Sequence, residues 1–155
     1  MTTRISVNFN HPANKDAIRF LTSSWKTTLE PQSAAPEEIT EPQLALATHR
    51  EMLNWVWTTL PARLPTDCRW VVYGTPVLVH PKTGIIFCIA YGQSLCALRL
   101  SADEARMAVM DELESECTLD NGDVIYSDEI GDEWVFCSWE EYDVNWCLRA
   151  FQAAG

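Results

Sequence analysis

The spacing of apolar and polar residues changes along the chain, and each change predicts an element. In ISVNF, Ile5, Val7 and Phe9 alternate with polar residues, the period of a half-buried strand. HPAN breaks that period and places Asn14 as the cap of a helix over about 15–29. There Ala17, Ile18, Leu21, Trp25 and Leu29 recur at helical spacing. EPQSAAPEEITEP, residues 30–42, has no period and reads as a loop or linker. A second helix is predicted from a Thr40/Gln43 capping box with Pro42 in its first turn. His49, Met52, Leu53, Val56 and Leu60 form one face, Trp55 and Trp57 lie outside it, and Pro61 and Pro65 end it.

From Arg69 to Ser101 the chain is rich in β-branched and aromatic residues and is punctuated at short intervals by GTP, HPKTG and YGQS. Such short connections allow hairpins and exclude parallel crossovers, so antiparallel strands are expected at about 69–73, 76–80, 84–91 and 95–100. GIIFCIA and VLV are apolar on both faces, which requires helices over at least one side of the sheet. Ser101 with Glu104 predicts a capped helix over about 102–115, with Ala105, Ala108, Val109 and Leu113 inward. CTLDNGDVIY predicts a hairpin on Asn121-Gly122, and WVFC a further strand. Ser138 with Glu141 predicts a third capping box opening a last helix to about 153. Its apolar arc is wide, with Trp139, Tyr142, Trp146, Ala150 and Ala153 on one side and Val144, Cys147, Leu148 and Phe151 on another; Glu140 and Asp143 intrude into it. The fold class that follows is α+β, an antiparallel sheet of about five or six strands with helices packed against it, in one domain over 1–155.

Charge adds what the pattern does not show. The net charge is −11, but residues 1–100 carry +2 and residues 101–155 carry −13. A negative field disfavours nucleic-acid phosphates and anionic membranes and favours basic partners. No apolar run has the length of a membrane span, and the first residues hold no apolar leader, so a cytoplasmic protein with reduced thiols is expected. The six cysteines form no C-x-x-C pair, and Cys88, in IIFCIAY, is expected to be a buried thiol of raised pKa. His11 and His80 precede prolines and are expected in extended or turn backbone. The acids around Gly122 and Gly131 fail the calcium-loop register, and no phosphate loop occurs, so neither a metal nor a cofactor is expected.

GIIFCIAYGQSLCALRLS, residues 84–101, resembles the strand–turn–strand core of the TfoX N-terminal and YjbR domains, and no function is carried over from that. In size and charge the chain is similar in kind to bacterial immunity proteins.

The function these features point to is a non-enzymatic acidic protein-binding module, an immunity or antitoxin-like inhibitor that neutralises a basic partner such as a bacterial toxin. Asp120, Asp123, Asp128, Glu129, Asp132 and Glu133 fall on turns that converge if the hairpin packs beside WVFC, and they supply the charge complementarity. Trp134, Trp139 and Asp143 are further contact candidates. Two other readings stand beside it: a small-ligand binder or enzyme with a tryptophan-lined pocket under the last helix, and a nucleic-acid mimic. The pattern is silent on oligomeric state.

Overall fold

The computed structural model describes residues 7–22, 33–34, 50–73, 75–91, 94–119 and 122–155. Helix α1 spans Lys15–Leu21, β1 Ser33–Ala34, α2 Arg50–Asn54, β2 Arg69–Val72, β3 Thr75–Val79, β4 Ile86–Tyr91 and β5 Leu95–Arg99. Then come α3, Ala102–Asp111; β6, Glu116–Thr118; β7, Val124–Tyr126; β8, Trp134–Phe136; and α4, Asp143–Ala154. The class is α+β. Six antiparallel strands form one sheet in the order β1-β2-β3-β4-β5-β8, and β6-β7 form a separate hairpin.

The short punctuation between Arg69 and Ser101 produces the hairpins it predicts. At the β3–β4 turn Gly84 takes φ +71°, a left-handed position suited to glycine, and donates its amide to His80 O at 2.9 Å. The pairing slips between Leu78 and Val79, because Val79 faces Ile86 while Leu78 faces Cys88, leaving Phe87 as an extra residue. Ile86 and Ile89 therefore share one face, while Phe87 and Cys88 both pack on the other. Helix α1 brings Ala17, Phe20 and Leu21 onto the first face, beside Trp70, Val77, Ile89, Trp134 and Phe136. On the opposite face lie Met52, Val56 and Leu60 together with Trp146, Cys147 and Ala150 of α4. The sheet is thus covered on both sides, as its two-faced apolar strands require.

Several boundaries differ from the pattern. Residues 7–9, expected as the end of a strand, are loop and turn, although Asn8 donates its amide to Gly84 O at 3.0 Å. Asn14 precedes α1 but caps nothing with its side chain. It is buried, donates from Nδ2 to Asn8 O and Gly84 O, and accepts Ile86 N on Oδ1, tying α1 to the sheet. Helix α1 stops at Leu21, with Thr22 Oγ1 donating to Ile18 O. Trp25, Leu29, His49, the Thr40/Gln43 box and most of the 30–42 linker lie outside the described residues, although Ser33–Ala34 pairs with β2.

Beyond Asn54 the second helix does not stay α-helical. Trp55–Thr59 form a π-helical turn in which Leu60 N donates to Trp55 O, and Leu60–Arg63 close as a 3-10 turn. Helix α3 is capped as predicted, Ser101 Oγ accepting Glu104 N at 3.2 Å, but it ends at Asp111 because Glu114 bridges to Phe136. Helix α4 begins later than expected, and Ser138 does not cap it: its hydroxyl donates to Glu112 O at 2.6 Å. Among the described residues no helix is long and apolar enough to cross a membrane.

Candidate functional site

Among the described residues, the acid-rich final third takes part in a belt of three depressions. The first, about 370 Å³, lies between α3 and β8, where Val109 and Met110 face Trp134, Ser115, Ser127 and Asp132. The second, about 240 Å³, is lined by Glu114, Glu116, Cys117, Cys137, Ser138 and Trp139. The third, about 860 Å³, is a groove between the π-helical turn and the start of α4, lined by Trp55, Thr59, Arg63, Trp139, Glu140, Glu141, Tyr142 and Asn145 among others. The depressions adjoin. Trp139 belongs to the second and third, and Ser115 of the first sits between Glu114 and Glu116 of the second.

The hairpin stands beside β8 because Glu114 bridges to Phe136 and Ser127 N donates to Ser115 O. Its end loop is one residue longer than a two-residue turn: Leu119 N donates to Asp123 O, and Gly122 takes φ +92°. Asp123, Asp128 and Asp132 are exposed. Glu129 is exposed too, but its carboxylate accepts Tyr126 N at 2.7 Å and so holds the 3-10 turn at Ser127–Glu129. Glu133 is half-buried and paired with Arg99 at 2.8 Å. Asp120 lies outside the described residues. Trp134 is only 2% exposed and packs in the core, while Trp139 is 41% exposed.

Asp143 is fully buried, and its placement explains that of Trp139. Its carboxylate accepts three consecutive amides, Ser138 N at 3.3 Å, Trp139 N at 2.8 Å and Glu140 N at 3.3 Å. Wrapping the chain around one carboxylate forces Trp139 to φ +65°. Burial pushes the Asp143 carboxyl up to about 6, and the three amides pull it down in part. Left-handed backbone is rare for a bulky side chain and costs about 1–2 kcal/mol, so an indole kept there at the surface is a candidate for use.

Behind this surface lies a row of thiols. Cys96 Sγ is 3.4 Å from Cys137 Sγ and 3.9 Å from Cys88 Sγ. Hydrogen bonds from Cys137 and Cys88 lower the Cys96 pKa against its burial, while the indole Nε1 of Trp55 is buried without a hydrogen-bond partner among the described residues. Cys88 is fully buried and its thiol is pushed well up by burial, as its apolar run predicts. The histidines serve local structure. His11 Nδ1 accepts Ala13 N, and His80 Nδ1 accepts Lys82 N while its ring stacks on Phe151 at 4.6 Å. Among the described residues no group of three or more His, Cys, Asp or Glu side chains is arranged to hold a metal.

Trp55, Arg63, Met110, Glu141 and Tyr142 line the belt but were not among the contact candidates read from the sequence. Trp55 signalled itself only by falling outside its helical stripe. No known protein family, characterised protein or solved structure matches this chain.

Proposed function

We propose that the chain is a non-enzymatic protein-binding module that holds a basic protein through the acidic face of its final third, as an immunity or antitoxin-like inhibitor holds a toxin. On this reading it acts in the bacterial cytoplasm. The observation that carries it is the composition of the belt. Among the described residues, five carboxylates line the three depressions, those of Glu114, Glu116, Asp132, Glu140 and Glu141, against two guanidiniums, Arg63 and Arg106. Each guanidinium already has a partner, Asn145 for Arg63 and Asp103 for Arg106. Like charges crowded on one face repel, and a cationic partner removes that cost while the field steers its approach. Apolar anchors stand among the acids, since Met110 is 84%, Tyr126 51% and Trp139 41% exposed. Asp123, Asp128, Glu129 and Asp132 extend the same charge beyond the depressions.

The groove between Trp55 and Trp139 also supports the second reading, a small-ligand site. The two part on the occupant: a basic protein needs the outer acids, and a small ligand does not.

The test uses two baits in extract of the source organism, the natural chain and a variant carrying Asp123→Lys, Asp128→Lys and Asp132→Lys. The expected result is a basic protein retained by the first and lost by the second, with melting temperatures within a few degrees. Equal retention on both baits, or retention of no basic protein by either, overturns the reading.

A further inference from the structure

We propose that the groove between the π-helical turn and the start of α4 is a receptor for an arginine side chain of the basic partner, its guanidinium lying on the indole of Trp139 and forked to Glu140 and Glu141. This rests on the protein-binding reading and names the group that reading would recognise.

The chemistry of the walls selects the charge. Trp55 and Trp139 meet with ring centroids 5.0 Å apart at 46°, so two indoles and the Tyr142 ring border one space of about 860 Å³. Aromatic faces carry negative potential and attract cations, guanidinium most often. Glu140 and Glu141 are exposed, and among the described residues neither carboxylate meets a lysine or arginine. Among the described residues Arg63 is the one cation in the walls, and its guanidinium donates to Asn145 Oδ1. Two carboxylates against one guanidinium leave the groove net negative, which excludes an anion as its preferred occupant. A planar guanidinium can stack on an indole and bond a carboxylate in its own plane, which an ammonium cannot do.

The backbone supports a built site in two independent places. Trp139 keeps a bulky side chain at φ +65°, held there by the buried Asp143. On the other wall a π-helical turn runs from Trp55 to Thr59, and both of its end residues line the groove. Such turns recur at functional sites because the wider winding re-aims side chains.

The experiment titrates the full chain with amidated tetra-arginine, with its tetra-citrulline analogue and with tetra-lysine, in about 0.15 M salt, where long-range attraction is screened. It follows the indole N–H signals of Trp55 and Trp139 by nuclear magnetic resonance. Tetra-arginine is expected to shift both signals saturably, tetra-lysine to bind more weakly, and tetra-citrulline to leave them unmoved. Trp139→Gly, which suits the left-handed backbone, should weaken tetra-arginine binding about tenfold, as should Glu140→Gln with Glu141→Gln. Arg63→Ala should strengthen it severalfold, because it removes the resident cation.

Tetra-arginine that shifts only signals near Asp123, Asp128 and Asp132, or that binds Trp139→Gly as well as the natural chain, overturns the groove proposal. Neither result touches the protein-binding reading, which the two-bait capture tests separately. Equal shifts from tetra-citrulline would also overturn it, by showing a site for flat polar groups instead of cations.

Discussion

The carboxylate of Asp143 accepts the backbone amide of Trp139 at 2.8 Å, and through that bond a buried acid sets the position of an exposed indole. The same carboxylate holds the amides of Ser138 and Glu140. Asp143→Ala leaves three amides without their acceptor and should destabilise the chain by about 2–3 kcal/mol. Asp143→Asn keeps one acceptor oxygen and should cost less. Urea denaturation measures both. The Trp139 indole signal should move in both variants, and a shift in the alanine variant without loss of stability would remove the structural role given to Asp143.

Asp143 also predicts a pH dependence. Its folded-state pKa is raised, to about 6 from the ordinary 3.8, because burial opposes its charge. A raised pKa contributes stability that is fully present below the unfolded value and is lost as pH climbs through the folded one. Between pH 4 and pH 6 the natural chain should therefore lose stability relative to Asp143→Asn, and the difference should level off above about pH 7. Denaturation of the two chains across that range isolates this group from the many other acids. A difference that grows as pH falls would carry the wrong sign.

Trp139 inverts the usual ranking of alanine and glycine. At φ +65° a Cβ is penalised, so Trp139→Gly should be more stable than Trp139→Ala by about 1 kcal/mol. Both lose the contact with the Trp55 ring, worth about 0.5–1.5 kcal/mol. Melting curves of the two variants provide the comparison.

Asn14 should be among the costliest polar positions to change. Its side chain satisfies two carbonyls, Asn8 O at 2.7 Å and Gly84 O at 2.9 Å, and the amide of Ile86 at 2.8 Å. Asn14→Ala leaves buried groups unpaired and should cost about 2–4 kcal/mol. Asn14→Asp should be no better, because a carboxylate cannot donate to the two carbonyls. Denaturant midpoints decide this, and a cost under about 0.5 kcal/mol would show that the loops find other partners.

Thiol reactivity should follow exposure. Cys117 is half-buried and lines the second depression, Cys137 is buried at its wall with 6% exposure, and Cys88 and Cys147 are fully buried. Timed alkylation with mass spectrometry should find Cys117 modified first and Cys137 more slowly. Cys88 and Cys147 should react only after unfolding. Early modification of Cys88 would mean that the sheet opens on the labelling timescale.

Elements whose signals are local were legible in the chain. The four strands between Arg69 and Arg99 fall close to their predicted places, because each is bounded by its own turn residues. The Ser101 cap is likewise a contact three residues long. The acidic bias of the last third was legible as composition. The belt was not, because Trp55 and Trp139 are far apart in sequence and meet only when α2 and α4 pack on the same face of the sheet.

Residue order alone determined the α+β class, the antiparallel hairpins and the concentration of charge, since period, turn chemistry and composition are properties of neighbours along the chain. Tertiary structure decided what each polar group does. Asn14 and Ser138 have the right identity and place for caps, yet their side chains bond to distant backbone. Phe87 is pushed out of alternation by a partner strand, and Asp143 is buried against three amides. The physical reason is the same in each case: a buried donor or acceptor must find a partner, and the one it finds depends on which segments burial has brought together.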